Sequence, residues 1–396
     1  MKSVLAVLAQ IALSASNYAV FLAMARLLDE AGFVAFSTAV GLNMLAYALA
    51  EGGVSYVAPK ALADRGDSSG PALAGAFMAL SATLYLLAMV GGYLAWNALA
   101  AEPLQPAWVM AYGLYFFPAL LMPAWLTCWS MDRSGLIGVL LLRSLMVGAV
   151  IIWPTLATLC WCGLVFFAFT AWLTARCNRP TAVLDWPDRP ALHRAIGDLR
   201  KVFWARTASY AAYALLPLLV GVFRGNAAAA SYVTAERLKS LYATLFQPLI
   251  QSMYLWQFQP RTSARRKQTV SVALHVLNVA ACLAALWAAN MGLLDVMGPR
   301  FGSLASSPLV WLAAAVSVAS ACLLMLHIFP AANYGLFRRA AVVQLLAFCA
   351  VGTWLVGAPT QSVVWLLFGG ETALLAAIVL QMGIARAARS KSPGPS

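Results

Sequence analysis

Long apolar runs broken by short polar turns recur from one end of the chain to the other. The clearest cover residues 4–24, 33–57, 72–96, 108–129, 136–153, 202–223, 269–289 and 362–383. At about 1.5 Å of rise per residue, runs of this length match a hydrocarbon layer about 30 Å thick, which takes roughly 17–25 residues to cross. Pro154 marks a tight turn before a further run that reaches Ala175, and two more end near Pro330 and Gly357. Together with the stretch 231–257, the pattern predicts an all-α polytopic membrane protein of about twelve transmembrane helices. The longest polar stretch, 176–201, falls near the midpoint. Its end carries Leu192, Ile196, Leu199 and Phe203 on one helical face, with Arg194, Arg200 and Lys201 off that face. That pattern predicts an amphipathic helix on the inner membrane surface, separate from the span that opens at Val202. The expected domains are a six-helix bundle over 1–175, a cytoplasmic linker over 176–201, a second six-helix bundle over 202–385 and a tail over 386–396.

The stretch 231–257 breaks the apolar rule, with Glu236, Arg237 and Lys239 inside one turn. On a helical wheel at about 100° per residue, these three share an arc roughly 160° wide with Ser240, Thr244, Gln247 and Gln251. Leu238, Leu241, Tyr242, Leu245 and Leu249 fall on the other side. A charge at the centre of a lipid-facing helix costs about 2.5–3.5 kcal/mol, so the polar arc must face protein or water. Two readings of Glu236 and Lys239 stay open: a lining for an internal space, or an i, i+3 pair that staples neighbouring helices. Pro248 offers a point where such a helix could bend.

Composition supports the membrane reading, since 63% hydrophobic and 10% charged residues do not describe a soluble domain. The net charge of +13 suggests a nucleic-acid partner until its positions are considered. Of 26 Lys and Arg, nineteen fall in segments that the layout puts inside. Three (Arg26, Arg224, Arg300) fall in outer turns and four (Arg143, Arg206, Arg237, Lys239) within spans. That is the positive-inside pattern, with both termini in the cytoplasm and no nucleic acid as partner. Ser14-Ala15-Ser16 resembles a cleavage site, but hydrophobicity continues past it, so the first span is read as retained. The seven cysteines, including Cys160-Trp161-Cys162, match no usual metal or redox spacing, and the three histidines are dispersed. No metal, cofactor or catalytic residue is expected. A short echo, Phe36-Ser37-Thr38-Ala39 against Tyr232-Val233-Thr234-Ala235, opens the second and eighth spans and fits an internal repeat.

The chain resembles Wzx-type polysaccharide flippases of the MOP exporter superfamily. The resemblance rests on Ala235-Glu236-Arg237-Leu238 followed by Pro248 and Gln251, on Ala25-Arg26-Leu27-Leu28 with Gly32, and on Glu51 with Gly53. Gly52, Ser55 and Leu255 depart from the family pattern, and those departures bear on fine substrate contacts. The resemblance implies two bundles forming a V around a central cavity that opens to alternate sides of the bacterial inner membrane. Its implied cargo is a lipid-linked oligosaccharide on an undecaprenyl pyrophosphate carrier. H⁺ or Na⁺ is the implied counter-ion, and the polysaccharide polymerase machinery and membrane lipids are the implied partners. A pyrophosphate would be met by Arg143, Arg206, Arg237 and Lys239, with Arg26 at the first outer turn. Gln247 and Gln251 would meet glycan hydroxyls. The embedded acids Glu51, Glu236 and Glu371 either take up the coupling ion or neutralise nearby bases, and both readings stay open.

Two rivals remain. A cation-coupled drug antiporter of the same superfamily would favour acids in its spans, which here hold four bases against three acids. A membrane polymerase or glycosyltransferase would need a sizeable outer loop, and every outer connection is short. Asp29-Glu30 alone does not supply one.

Overall fold

The computed structural model describes residues 2–63, 70–99, 102–120, 133–177, 188–256, 264–293, 304, 307–328, 335–343, 345–346 and 363–391. The first half contains α1 (Lys2–Leu27), α2 (Glu30–Glu51), α3 (Val54–Ala63), α4 (Gly70–Leu99), α5 (Pro106–Leu120), α6 (Arg133–Ile152) and α7 (Leu156–Cys177). The second contains α8 (Arg189–Arg224), α9 (Asn226–Trp256), α10 (Ala264–Asn290), α11 (Pro308–Leu323) and α12 (Val363–Lys391). A π-helical turn, Leu324–Ile328, continues α11, and 335–343 is helical. Among the described residues there is no strand. Five helical stretches there suffice for a membrane crossing by length and composition: Glu30–Glu51, Ala72–Leu99, Gln268–Asn290, Pro308–Ile328 and Leu367–Ile384.

Local chemistry sets the helix ends. The Asp29 carboxylate accepts from the Gly32 N–H at 2.8 Å and caps α2. Asp188 does the same for α8, accepting from Ala191 at 2.6 Å, with Pro190 in the first turn. The span expected to run to Val57 stops at Glu51 instead. Gly52 and Gly53 take φ of 42° and 98°, which halts the helix before α3. A Cβ on Gly52 would also stand 2.8 Å from the Phe203 ring, so this corner of α8 packs where only glycine fits.

A second difference concerns the midpoint. The segment expected as a separate surface helix is the first part of α8, which runs 36 residues without interruption. Between Pro190 and Val202, where the break was expected, there is no proline and the single glycine is Gly197, which costs about 1 kcal/mol, too little to break a packed helix. Its buried stripe is Ala191, Ala195, Leu199 and Val202, while Ile196, expected on that face, is 46% exposed.

The two halves repeat their neighbour relations. In the first, α5 packs on α7 and on α2; in the second, α11 packs on α12 and on α9. Across the junction α1 packs on α9 and α2 on α8, while α2 and α9 touch each other. Helix α9 is the hub, in contact with α1, α2, α8, α10, α11, α12 and the π turn. Small side chains permit such close approach: α2 buries Ala35, Ser37, Ala39, Gly41, Ala46, Ala48 and Ala50. On α7, a Cβ at Gly163 would lie 2.5 Å from the Leu114 backbone of α5.

Candidate functional site

The polar arc of α9 does not face one space. Its turn from Glu236 to Ser240 divides between two directions.

Glu236 and Lys239 point toward α12. Lys239 Nζ lies 2.8 Å from Glu236 Oε2 and 2.9 Å from Glu371 Oε1, and the Ser240 hydroxyl donates to Glu236 Oε1 at 3.2 Å. Lys239 and Glu371 are 4% and 3% exposed. One ammonium thus sits between two buried carboxylates on different helices, and the three formal charges sum to −1. Their attraction is strong in a medium that screens poorly, and it ties α9 to α12. Of the two readings left open for Glu236 and Lys239, the pairing is present, extended to a third residue 132 positions away.

Arg237 points the other way, toward the first half. Its guanidinium carbon lies 5.9 Å from the Tyr18 ring centroid and 5.8 Å from that of Phe21, both on α1. It is half-buried, and its Nε finds no hydrogen-bond partner among the described residues.

Arg143, in the middle of α6, is 1% exposed. Its guanidinium carbon lies 3.9 Å from the Phe166 centroid and 5.1 Å from that of Tyr115. A row of rings connects the two arginines. Phe21 meets Phe36 at 5.6 Å, Phe36 meets Tyr112 at 5.5 Å, and Tyr112 meets Tyr115 at 6.2 Å. These separations suit aromatic contact throughout.

The remaining expected residues are more scattered. Glu51 is buried where α2 meets α3 and accepts from the Gly53 N–H at 3.3 Å and the Ser55 N–H at 3.2 Å. That is the geometry of a carboxylate at a helix N-terminus. Arg26 is exposed in the last turn of α1, and Gln247 is half-buried. Helix α9 passes through Pro248 and ends at Trp256. The side chains of Arg206 and Gln251 lie outside the described residues. No group of three or more His, Cys, Asp or Glu among the described residues is suited to hold a metal.

Two polar clusters were not anticipated from the sequence. Tyr85 donates to Asn43 Oδ1, and Asn43 Nδ2 donates to the Ala39 carbonyl at 3.0 Å. Tyr242 donates to Asn278 at 2.7 Å, and Asn278 Nδ2 donates to the Ala315 carbonyl at 2.8 Å, joining α9, α10 and α11. A signal for the first was present: extending the Phe36/Tyr232 echo places Asn43 opposite Lys239.

No protein-family model and no curated protein matches the chain. Solved structures match over nearly its whole length. It is similar to the eukaryotic MATE transporter AtDTX14 at 15% identity, over 98% of this chain and 95% of that one, with a TM-score of 0.67. A mutant of the Vibrio cholerae MATE transporter VcmN matches at 14% identity, over 99% and 96%, with a TM-score of 0.66. A MOP superfamily transporter from Pyrococcus furiosus, for which the reverse polarity of the binding pocket suggests a different function, matches at 12% identity over 99% and 96%, with a TM-score of 0.61. The chain therefore has the MATE/MOP transporter fold and is a polytopic helical membrane protein.

Proposed function

We propose that the protein is a transporter that moves a lipid-linked oligosaccharide with a pyrophosphate carrier from the cytoplasmic to the outer leaflet. The observation that carries the reading is the division of charge on α9. Lys239 is neutralised by Glu236 and Glu371, whereas Arg237 faces the other half of the molecule over aromatic rings and has no carboxylate partner among the described residues. A guanidinium held on aromatic faces keeps its in-plane N–H groups free to fork onto phosphate oxygens. Tyr18 and Phe21 supply flat apolar surface beside it, suited to sugar rings. Arg143 is too enclosed to meet so large a cargo in this conformation. The Glu236–Lys239–Glu371 cluster is the place for ion coupling in this scheme. A proton or Na⁺ entering there would compete with Lys239 and loosen α9 from α12.

A second reading, export of a small organic cation in exchange for H⁺ or Na⁺, is favoured by the net negative charge of that same cluster. Genetic complementation separates the two. In a strain lacking its own oligosaccharide flippase, this protein should restore surface glycan, and Arg237→Ala should abolish it at matched membrane abundance. Resistance to cationic drugs without any glycan display, unaffected by Arg237→Ala, would favour the second reading.

A further inference from the structure

Arg143 carries a charge that the fold leaves unanswered. No bond of regular geometry reaches its Nε, Nη1 or Nη2 among the described residues; the polar group that acts on it most strongly is the neighbouring Tyr115 hydroxyl, and the Tyr112 hydroxyl has no hydrogen-bond partner there. All three side chains are fully buried. The tyrosines stand three residues apart on α5 with their rings stacked at 6.2 Å, so both phenols come from one face of that helix. Phe166 of α7 covers the guanidinium, with its centroid 3.9 Å from the central carbon. Cys162, one turn earlier on α7, is spent on the Met146 carbonyl at 3.9 Å.

Among the described residues no acid supplies the counter-charge. Among the described residues the buried acids are Glu51, Glu236 and Glu371. Glu236 and Glu371 hold Lys239, and Glu51 is bonded to the start of α3. Aromatic faces offset part of the cost of a buried cation, but they act on the flat of the guanidinium. Its N–H bonds lie in the plane and point past the rings. A buried donor left unmet is costly, and the Tyr115 oxygen can accept from only part of a guanidinium's five N–H groups.

We propose that Arg143, Tyr112 and Tyr115 form a binding site for a monovalent inorganic anion of halide size within the first half of the molecule. The guanidinium supplies the charge and in-plane donors, and the two phenols donate their O–H groups to the same ion. One formal positive charge calls for one negative charge. The enclosure by Phe166 and Tyr115 excludes a sugar-bearing pyrophosphate, so this site does not depend on the cargo assigned to Arg237, although Tyr112 feels the charge of both arginines. The ion would tie α6 to α5 as Lys239 ties α9 to α12.

The test uses purified full-length protein in detergent at constant ionic strength, with chloride or bromide replacing gluconate in steps. The melting temperature should rise saturably, reaching about 3 °C above the gluconate value. Arg143→Met should abolish the response, and Tyr112→Phe with Tyr115→Phe should shift its midpoint to about tenfold higher halide. The tyrosine variant decides the matter if Arg143→Met does not fold, since it keeps every ring in place. Equal melting in chloride and gluconate, or an unchanged halide response in the tyrosine variant, overturns the proposal. So does a rise with inorganic pyrophosphate and none with halide, which would return Arg143 to the cargo path. Loss of transport in Arg237 variants has no bearing on any of these readouts.

Discussion

The two halves place polar groups at matching positions and satisfy them by different means. Thr38 donates to the Val34 carbonyl at 3.0 Å, and Thr234 donates to the Ala230 carbonyl at 2.8 Å, the same bond at the same register of the echo. One turn later the halves diverge. The first half has Asn43 bonded to Tyr85, two neutral groups. The second has Lys239 between two carboxylates. The buried cation of the first half is Arg143, and among the described residues it lies among rings with no acid beside it. A buried charge can thus be handled by opposite charges from the chain, which lock helices together and leave little for a ligand. Alternatively it can be covered by aromatic faces, which stabilise it by a smaller amount and leave its donors unspent.

The comparison breaks most visibly at Lys239. Lys239→Met would leave two buried carboxylates facing each other with no cation. Removing one partner of a buried ion pair costs about 3–5 kcal/mol, so folded yield and melting temperature should fall sharply. Adding Glu236→Gln and Glu371→Gln to that variant should recover most of the loss, because the whole charged group then leaves together. A Lys239→Met variant that melts like the parent would mean the cluster does not hold α9 to α12.

Arg143→Met should do less. It strands no carboxylate, and the lost contact with Phe166 and Tyr115 is worth about 2 kcal/mol at most. Measured in gluconate, its melting temperature should drop by clearly less than that of Lys239→Met. A larger drop would place a carboxylate beside Arg143 and end the contrast between the halves.

The smallest effect is expected at the neutral position. Tyr85→Phe removes one hydroxyl and leaves Asn43 Oδ1 unmet in a buried site, at a cost of about 1 kcal/mol. Thermal unfolding of this variant beside the other two would give the full ordering, from charged cluster to boxed cation to neutral pair.

How much of this was legible in the sequence follows from what acts locally. Hydropathy gives the membrane class and most spans, because a bilayer demands about 20 apolar residues in series wherever a helix crosses it. Asp29 and Asp188 cap helices through partners only three residues away, a local contact that hydropathy alone does not reveal. The i, i+3 spacing made Glu236 and Lys239 a possible pair. Glu371 could not be joined to them in advance, because tertiary packing alone brings α12 against α9 across 132 positions. The wheel placed Arg237 in the same arc as Lys239, yet the two face different neighbours, because α9 is surrounded by helices on several sides. The continuity of α8 is hidden in the sequence because amphipathicity and a change of hydropathy look alike at a span end. Only the packing of Ala191, Ala195, Leu199 and Val202 distinguishes them.

The claim that Arg237 is the base left free for an anionic cargo is tested most directly by transport. Purified protein in liposomes would be given a fluorescent lipid-linked oligosaccharide in one leaflet, and its arrival in the other followed by quenching, with and without a pH gradient. The account predicts movement by the parent, loss of at least tenfold in Arg237→Ala, and partial recovery in Arg237→Lys, which restores charge but not the forked geometry. Parent-level movement by Arg237→Ala, in protein of the same fold and amount, would contradict it.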